Sequence, residues 1–276
     1  MLDIAIIGAG PAGYSAAINA RKRDKSALVI GQSGGWLARA ERIDNYPGLP
    51  GVSGAQLLSA MRAQAEAMGA ETRPGVVHQV MDMGGTFALS LGGDFVEARC
   101  VILCTGAKQP RLIPGEERLL GRGVRYCGTS DAMLYRGKRV AVIAQGPEAV
   151  SEANFLASVC ESVTFFGAPD AALNEGIAVS DKKPEEIEGD TRVTALRASG
   201  EDMPFDGVFI FREAMALSAL LPGLAMDGAF IRVDRSMHTS VPGVFAAGDC
   251  TGLPLQVAKA VGEGCIAALS AAQELR

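Results

Sequence analysis

The stretch that decides the fold is Ile4-Ala5-Ile6-Ile7-Gly8-Ala9-Gly10-Pro11-Ala12-Gly13. Its first four residues are apolar and rich in β-branched side chains, which is typical of a buried parallel strand. The glycines follow without a linker, and Ser15-Ala16-Ala17 then open a predicted helix that continues to about Arg23. A second apolar run, Ala27 to Ile30, completes a strand-helix-strand unit.

The spacing of the glycines suits a dinucleotide. Gly8 allows a tight turn, Gly10 lets the backbone approach a pyrophosphate, and Gly13 lets the helix pack closely against the strand. Pro11 and Ala12 lie at the start of the helix, whose unpaired N–H groups and positive dipole end would face the phosphates. We therefore predict dinucleotide binding; the alternative is a glycine turn that serves packing alone.

The end of the second predicted strand departs from the dinucleotide-binding pattern. An acidic residue there would hold a ribose hydroxyl, but Gly31 and Gln32 occupy the position. The adenosine end must therefore be held by other contacts, either backbone groups or Gln32.

Composition excludes several functional classes. The 276 residues suffice for one large or two medium domains, and 48% hydrophobic residues with 34 glycines fit an α/β protein with many tight turns. A net charge of −5 argues against a general nucleic-acid binder. The two histidines show no zinc-site spacing with cysteine, so we predict no metal site. Six irregularly placed cysteines indicate reduced thiols or redox groups rather than structural disulfides.

No segment indicates secretion or a membrane span. The longest apolar stretch, Ala214 to Met226, is too short to cross a bilayer and contains Pro222 and Gly223. The glycine turn begins at Gly8, which leaves no room for a signal peptide before it. We expect a cytoplasmic protein that binds no membrane.

A second strand-turn-helix pattern starts near the middle of the chain. Arg139 to Ile143 is predicted to be a strand, and a helix is predicted from about Val150 to Val159. The turn between them keeps one of three glycines, and Glu148 would repel a pyrophosphate at the helix start. After the next strand, Gly167-Ala168-Pro169-Asp170 offers no cation for the 2′-phosphate of NADP. The pattern fits a nucleotide site or, equally, a unit that has lost that role.

Two later strands end in residues suited to a ligand. Cys100 to Cys104 is predicted to be a buried strand that ends in Thr105-Gly106, whose backbone N–H groups can approach a ligand. Gly243 to Ala247 is predicted to be another strand, ending in Gly248-Asp249 before a long helix from about Gln256 to Gln273. Asp249 suits a hydrogen bond to a ribityl hydroxyl, and the helix N-terminus suits a reduced, anionic flavin ring.

The remaining predicted elements are shorter or less regular. Apolar residues at helical spacing predict a helix over residues 53–68, ended by Gly69. Short strands are predicted at residues 76–77, 87–90, 95–98 and 205–211. The glycine- and proline-rich connection before the helix, residues 34–51, is long enough to indicate a functional loop.

Ordered motifs recur along essentially the whole chain. They are Gly8 to Gly13, Asn45-Tyr46-Pro47-Gly48, Thr105-Gly106-Ala107, Tyr126-Cys127-Gly128-Thr129-Ser130-Asp131 and Ala246-Ala247-Gly248-Asp249. Together they resemble the low-molecular-weight thioredoxin reductases. The resemblance implies an α/β protein with two Rossmann-like, three-layer domains of the FAD/NAD(P)-binding type. Residues 1–113 and 241–276 would form the FAD-binding domain, residues 114–240 would be an inserted NAD(P)-domain-like region, and the chain would form a homodimer.

The resemblance places FAD against both ends of the chain, through Asn45, Asp249 and the segment from Gln256 to Ala258. Together with the turn residues above, the expected cofactor-binding residues are Gly8, Gly10, Pro11, Ala12, Gly13, Gly31, Gln32, Gly35, Leu37, Asn45, Val77, Thr105, Gly106, Gly248, Asp249, Gln256, Val257 and Ala258.

The inserted region lacks the glycine-rich and arginine NADPH motifs of that family. This departure, with the segments Phe209 to Glu213 and Gln256 to Gly264, is similar to the ferredoxin-dependent flavin thioredoxin reductases and the diflavin-linked disulfide oxidoreductases. In the first group a reduced iron–sulfur protein supplies FAD with electrons; in the second, another flavin lies where NADPH would. The expected partners are therefore ferredoxin and a thioredoxin-like protein, with a second FAD in the inserted region as the other option.

The redox motif departs from the family as well. The family uses Cys-x-x-Cys followed by Asp: the first cysteine attacks the partner disulfide, the second exchanges electrons with flavin, and the Asp moves protons. Cys127, Ser130 and Asp131 stand at these positions here, and a serine hydroxyl cannot form a disulfide. Either Ser130 marks an engineered trapping variant, or the natural protein uses another thiol or acceptor. The altered neighbours Gly128 and Ala132 favour a natural loss.

Cys104 and Cys250 are candidates for a relocated partner of Cys127, because they lie next to expected FAD contacts. The alternative is that both are small buried hydrophobic residues, as free cysteine commonly is. Cys100, Cys160 and Cys265 are assigned to strand and helix interiors.

Three functions remain open from the sequence. The first is an FAD-dependent disulfide-reductase-type enzyme supplied with electrons by ferredoxin or a second flavin. The second is an NAD(P)H-dependent flavin reductase or oxidase. The third is a flavin-binding protein that has lost catalysis.

Overall fold

The computed structural model describes residues 1–32, 35–107, 112–146, 148–212 and 217–275, except for the side chains of Trp36, Thr129, Ser130, Ser218 and Ala219. The chain divides into two compact units. The first unit comprises Met1–Gln109 and Leu220–Arg276, and the second comprises Pro110–Ala219. No helix in the described ranges is both long enough and apolar enough to cross a bilayer.

Strands and helices alternate over much of the chain. In order they are β1 (Leu2–Ile7), α1 (Pro11–Arg21), β2 (Ala27–Ile30), α2 (Gly54–Ala67), β3 (Glu71–Arg73), β4 (Gln79–Asp82), β5 (Phe87–Leu91), β6 (Asp94–Leu103), β7 (Val124–Arg125), α3 (Gly128–Asp131), β8 (Arg139–Gln145), α4 (Ala149–Ala157), β9 (Ser162–Phe166), β10 (Ala178–Ser180), β11 (Pro184–Glu188), β12 (Ala195–Ala198), β13 (Glu201–Pro204), β14 (Gly207–Arg212), α5 (Leu217–Leu220), β15 (Met226–Asp227), β16 (Phe230–Ile231), β17 (Val244–Ala246) and α6 (Val257–Glu274).

The first unit is built on a seven-stranded sheet in the order β3-β2-β1-β6-β5-β4, with β17 also paired to β6. The strands β3, β2, β1, β6 and β17 run parallel to one another. β5 pairs antiparallel with β6, and β4 pairs antiparallel with β5. In register, Ile6 of β1 lies beside Val29 and Ile102, and all three are buried. The predicted strand-helix-strand unit at the amino terminus is confirmed.

The second unit contains a five-stranded parallel sheet in the order β10-β9-β8-β14-β7. Val140, Val142 and Phe209 are fully buried in its core beneath α4. A separate antiparallel sheet is formed by β11, β12 and β13. The second strand-turn-helix predicted from the sequence is confirmed as β8, its turn and α4. The mixed seven-stranded sheet and the parallel five-stranded sheet, with their helices, confirm the predicted α/β class.

The helix starts have local causes. Pro11 occupies the first turn of α1, where its missing N–H costs no hydrogen bond. Ser53 caps α2 through a capping box, because its hydroxyl accepts the backbone N–H of Gln56 and the Gln56 side chain accepts the N–H of Ser53. Gln256 is the residue before α6. These helices were predicted to within a few residues.

The sequence-based assignment was wrong for the short polar strands. β3 and β4 were missed, since they are three and four residues long and carry charged or amide side chains. Residues 76–77, predicted to be a strand, lie in the connection between them. The runs at residues 95–98 and 100–104, predicted as separate strands, form the single strand β6.

The unit boundaries differ from the predicted ones. The second unit ends at Ala219 instead of residue 240. The segment after it is tied into the first unit, because the N–H of Ala246 in β17 donates to the carbonyl of Met237 at 3.1 Å and His238 Nε2 lies 3.0 Å from Glu274 Oε1 in α6. The other boundary was predicted between residues 113 and 114, and the point where the two units divide lies at Gln109 and Pro110, which are themselves outside the described ranges.

Candidate functional site

In the glycine turn between β1 and α1, some glycines are required by the packing of the backbone and another borders open space. Gly8 has φ +124°, and a Cβ there would overlap the backbone carbonyl of Cys104. A Cβ on Gly13 would overlap the carbonyl oxygen of Gly8. Gly10 is different, because a Cβ on it would meet nothing within 4 Å. Packing therefore requires Gly8 and Gly13, whereas the space beside Gly10 is open to a ligand that approaches the backbone.

At the end of β2, Gly31 and Gln32 present backbone groups and an amide to a ligand, and neither residue carries a charged side chain. A Cβ on Gly31 would lie 2.5 Å from the backbone nitrogen of Ala9, so the turn after β1 requires glycine here. The N–H of Gly31 donates to the carbonyl of Arg73 at 3.1 Å, and Gln32 is exposed. The adenosine end of a dinucleotide would have Gln32 as its polar side chain at this strand end.

The loop before α2 comes together with the start of α6. Asn45 Nδ2 donates to Gln256 Oε1 at 2.8 Å, which joins two predicted contacts that are 211 residues apart. Leu37 packs against the core of the first unit, Val77 is 4% exposed, and the space beside Gly35 is open. Asn45 and Gln256 are both exposed and offer amide groups to a ligand.

The turn after β17 carries Asp249 and is held by α6. Gly248 has φ +87°, and its N–H donates to Glu263 Oε2 at 2.9 Å. Lys259 Nζ donates to the carbonyls of Gly248 and Gly252, each at 2.8 Å, and lies 3.2 Å from Glu263 Oε2. Sequence reasoning assigned no role to Lys259 and Glu263, although their four-residue spacing on a helix indicates an ion pair.

Asp249 lies half-buried in that turn. Burial raises the pKa of its carboxyl, the positive charge of Lys259 opposes the rise, and the nearby Glu263 carboxylate adds to it. Val257 and Ala258 lie in the first turn of α6, where unpaired N–H groups and the positive dipole end favour an electron-rich ligand. This set of groups can accept from a hydroxyl and stabilise negative charge.

The helices α1 and α6 approach each other closely behind the two turns. A Cβ on Gly264 of α6 would overlap the carbonyl oxygen of Ala12, and a Cβ on Gly248 would lie 2.9 Å from the Ala12 Cβ. Small residues at these positions let both helix starts lie beside the carboxyl ends of β1 and β17. The predicted residues from Gly8 to Gly13 and from Gly248 to Ala258 thus belong to one part of the first unit.

Two thiols lie beside this region, that of Cys104 directly after β6 and that of Cys250 after β17. Gly106 has φ +77° and open space beside it. Cys250 is 1% exposed, and its thiol donates to the carbonyls of Ala247 and Leu103 at 3.3 and 3.4 Å. Burial raises the pKa of Cys250 to about 11 and raises the pKa of Cys104 well above its usual value. Because the thiolate is the nucleophile, these shifts favour the packing role for both cysteines.

Cys127 lies in the second unit at the start of the short helix α3. It is 7% exposed, and Tyr126 before it is also buried. Asp131 ends α3, with its Oδ2 3.6 Å from Arg125 Nε. Burial raises the pKa of Asp131, and the Arg125 charge opposes that rise. The side chain of Ser130, predicted to replace the second redox cysteine, lies outside the described side chains.

The turn after β8 is occupied by acidic and amide side chains. A Cβ on Gly146 would lie 3.0 Å from Glu148 Oε1 and 3.1 Å from the Arg212 Cα. Glu148 directly precedes α4, and no side-chain cap is formed there. Arg212, the last residue of β14, donates from Nε to Gln145 Oε1 at 3.2 Å. A pyrophosphate at this turn would meet the Glu148 carboxylate.

A buried cluster missed by the sequence reasoning lies beside that turn. Glu116 is 0% exposed and Arg212 is 3% exposed. They form two parallel hydrogen bonds, Nη1 to Oε1 at 2.5 Å and Nη2 to Oε2 at 3.0 Å. Tyr126 donates its hydroxyl to Glu116 Oε1 at 2.7 Å. Glu116 and Arg212 are 96 residues apart, so no local pattern links them.

The glycine turn with its open backbone, the Asp249 turn and the buried cysteine directly before α3 are features typical of dinucleotide-binding oxidoreductases that carry a thiol motif. The profile of the pyridine nucleotide-disulphide oxidoreductase family matches residues 2–264. The chain belongs to this family and is a thioredoxin reductase-like flavoprotein.

Three relatives illustrate the similarity. The chain is 34% identical to a thioredoxin reductase of Listeria monocytogenes over 294 aligned residues, covering 98% of this chain and 92% of the other. A ferredoxin-flavin thioredoxin reductase from Clostridium acetobutylicum is 40% identical, with a TM-score of 0.89 and 99% and 98% of the two chains covered. The atypical thioredoxin reductase TRi from Desulfovibrio vulgaris Hildenborough is 35% identical, with a TM-score of 0.75 and 99% of each chain covered.

Proposed function

We propose that this protein is an FAD-dependent oxidoreductase of the thiol-disulfide type that takes electrons from ferredoxin or a second flavin and does not use NADPH. The observation that carries the donor assignment is the Glu148 carboxylate, whose Oε1 would lie 3.0 Å from a Cβ on Gly146. The electrons would pass to a disulfide or another acceptor. Similarity to the ferredoxin-flavin thioredoxin reductase supports the choice of donor.

Electrostatics at the β8 turn argue against the pyrophosphate of a nicotinamide dinucleotide. They argue equally against the pyrophosphate of a second FAD in the same position, so ferredoxin is the better supported of the two donors. Dinucleotides bind at the carboxyl ends of parallel strands, with the pyrophosphate at a helix N-terminus. Here that position has a carboxylate, and the neighbouring end of β14 is taken by the ion pair of Arg212 with Glu116. After β9, the segment from Gly167 to Asp170 supplies no cation for a 2′-phosphate.

The residues of the first unit fit FAD. The open space beside Gly10 and Gly106 leaves room for a ligand against the backbone, and the start of α1 supplies N–H groups for a pyrophosphate. Asp249 would accept from a ribityl hydroxyl, while Asn45 and Gln256 would orient the cofactor through their amides. The start of α6 would stabilise negative charge on the ring. When bound, FAD would supply both one-electron and two-electron transfer, which protein side chains alone do not combine.

Cys127 and Asp131 would act on the acceptor. Reduction of a disulfide to two thiols consumes two electrons and two protons, so each disulfide requires two electrons from ferredoxin, delivered one at a time, or one fully reduced second flavin. The Cys127 thiolate would attack the acceptor disulfide to form a mixed disulfide and release one thiolate, for which Asp131, whose pKa is raised by burial, would hold a proton. Two electrons delivered through the flavin, with a second proton, would then cleave the mixed disulfide, which releases the second thiol and restores the Cys127 thiolate. Ser130 cannot close an internal disulfide with Cys127, so the internal dithiol cycle of the family does not operate.

Anaerobic reduction tests the donor. Purified, flavin-loaded protein is mixed with excess NADPH in one cuvette and with a chemically reduced ferredoxin in another, and flavin absorbance is followed. We expect bleaching by the reduced iron–sulfur protein alone. Rapid bleaching by NADPH would contradict the proposal, and NADH-dependent oxygen consumption would favour a flavin oxidase. Protein that carries FAD yet reacts with neither donor would indicate lost catalysis.

Two further features belong to the same proposal. We expect a homodimer in solution, and the FAD content per chain distinguishes the two donor options. One FAD per chain fits a ferredoxin-supplied enzyme, whereas two FAD per chain fit a second flavin in the second unit. Quantification of released FAD against protein concentration measures this ratio, and light scattering measures the oligomeric state.

A further inference from the structure

The segment that carries Cys127 has little stability of its own. It follows β7, which has two residues, and it opens α3, which has four. Helices this short are not stable in isolation, because nucleation is costly and few hydrogen bonds repay it. The position of Cys127 must therefore be fixed by contacts from outside the segment.

Tyr126, directly before Cys127, makes such a contact. Its hydroxyl donates to Glu116 Oε1 at 2.7 Å. Burial and the Glu116 carboxylate raise the pKa of Tyr126, so the hydroxyl keeps its proton and remains a donor. Arg212 also lies with its guanidinium carbon 5.9 Å from the centre of the Tyr126 ring. Both the polar and the aromatic part of Tyr126 thus contact the cluster.

The acceptor of that hydrogen bond is itself held rigidly. Glu116 Oε2 accepts the backbone N–H of Ile113 at 2.9 Å, in addition to the paired bonds from Arg212. Arg212 is fixed in turn by Gln145 and by its place at the end of β14. β14 pairs with both β8 and β7, so the cluster is anchored on the central strands of the sheet.

Because Glu116 and Arg212 are buried, their ion pair carries a free-energy cost and depends on a defined geometry. Taking two charges out of water carries a large desolvation penalty, which a fully hydrogen-bonded pair offsets without a large net gain. Buried ion pairs are therefore weak contributors to stability and, in several systems, fix a particular geometry instead. The side chain placed by this pair is the one next to Cys127.

We propose that Tyr126, held by the buried Glu116–Arg212 pair, is a positioning residue that keeps the Cys127 thiol in its buried setting at the start of α3. This rests on the proposed thiol function only in its consequence for catalysis; the positioning itself is a property of the resting protein. Loss of the Tyr126 hydroxyl should let the Cys127 segment open and make the thiol more reactive.

Site-resolved alkylation tests the proposal on the purified, flavin-loaded chain. The rates of iodoacetamide modification at Cys127 and Cys160 are measured separately by mass spectrometry, since Cys160 is a partly exposed cysteine of the same unit. In Tyr126→Phe, loss of a hydrogen bond to a charged acceptor should speed modification of Cys127 about tenfold. Modification of Cys160 should stay as in the wild-type protein.

Matched variants separate positioning from general loosening. Tyr14→Phe removes the hydroxyl of another buried tyrosine, which lies in the first unit and outside the cluster, and it should leave the ratio of the two rates unchanged. Arg212→Lys keeps the positive charge but cannot form the paired bonds, so the Cys127 rate should rise by less than in Tyr126→Phe. The ratio is independent of any electron donor, so it can fail while the proposed function stands, and the reverse also holds.

Three results would overturn the positioning role. They are an unchanged Cys127 rate in Tyr126→Phe, an equal rise at Cys127 and Cys160, and loss of folding in Tyr126→Phe. The last would show that the hydroxyl serves the stability of the whole unit instead of the placement of one thiol.

Discussion

At the scale of single residues, the space around each glycine decides its role. Gly8 and Gly13 are required by the backbone they touch, whereas Gly10 borders open space. The sequence predicted this turn because strand, glycines and helix start follow one another without interruption. It could not separate the packing role from the binding role, since the spacing is the same in both cases.

Alanine substitutions at Gly13 and Gly10 should have different effects. In Gly13→Ala the new methyl group overlaps the Gly8 carbonyl, so we expect the free energy of unfolding to fall by about 1–3 kcal/mol. In Gly10→Ala the apoprotein should change by less than about 0.5 kcal/mol, while FAD affinity falls, because the methyl group enters the ligand's space. Urea unfolding and FAD titration of the apoprotein measure both effects. Equal FAD affinity in Gly10→Ala and wild type would contradict the assignment.

Asp131 should make stability depend on pH. Because burial raises its pKa in the folded protein, the folded state binds the proton more tightly than the unfolded state. The free energy of unfolding contributed by this group is therefore highest at low pH and falls as pH rises from about 4, the unfolded value, through the folded pKa. Asp131→Asn should lack this fall. Urea unfolding at a series of pH values checks it, with the exposed Asp190→Asn as the control.

At the scale of elements, α6 does more than cover the sheet. Lys259 and Glu263 are one helical turn apart, and both form hydrogen bonds to the backbone of the turn from Gly248 to Gly252. The helix itself was predicted from its small and apolar residues. The hydrogen bonds from Lys259 and Glu263 to the turn were not predicted. Charged residues four apart also occur on exposed helix faces, as Arg62 and Glu66 do in α2.

Lys259→Met should loosen the Asp249 turn. It removes hydrogen bonds to two carbonyls and leaves Glu263 without its cation, so we expect a loss of about 1–3 kcal/mol in unfolding free energy and weaker FAD binding. The matched control is Arg62→Met, which removes an exposed pair of the same spacing and should cost less than about 0.5 kcal/mol. Thermal unfolding and FAD titration of both variants provide the comparison. Similar losses in the two would refute the distinction.

The buried Glu116–Arg212 pair should show strong coupling. Arg212→Met leaves a buried carboxylate without its cation, and we expect a loss of about 3–5 kcal/mol in unfolding free energy. Glu116→Gln combined with Arg212→Met removes both charges and keeps an acceptor for Tyr126, so it should be less destabilised than Arg212→Met alone. A double-mutant cycle by urea unfolding measures this. Additive losses would mean that the two charges do not stabilise each other.

At the scale of the whole molecule, the predictable parts are the local ones. The βαβ patterns and long helices follow from runs of apolar residues and glycine turns, and both parallel sheets were anticipated from them. The limit of the second unit at Ala219 was not, because the contacts of Met237 with β17 and of His238 with α6 are formed only in the fold. The Glu116–Arg212 pair was not predicted for the same reason, since its two residues are 96 positions apart in the sequence.

Ser130→Cys tests whether electrons leave the flavin through the thiols at residues 127 and 130. The substitution restores the Cys-x-x-Cys pattern with Cys127, and we expect reduction of a thioredoxin-type disulfide by the reduced ferredoxin to increase at least about tenfold. Cys127→Ser in the same background should abolish the gain. Thiol release, followed with a chromogenic disulfide, measures both. No gain in Ser130→Cys would mean that electrons leave the flavin by a route that does not involve α3.

The close approach of α6 to α1 through Gly264 and Ala12 also has a consequence for biosynthesis. A ribosome that has made the first 250 residues has completed the glycine turn but not the helix that packs behind it or the Gln256 amide that meets Asn45. We therefore expect the proposed FAD site to be complete only when residues 257–274 have also been made and have packed behind the turn.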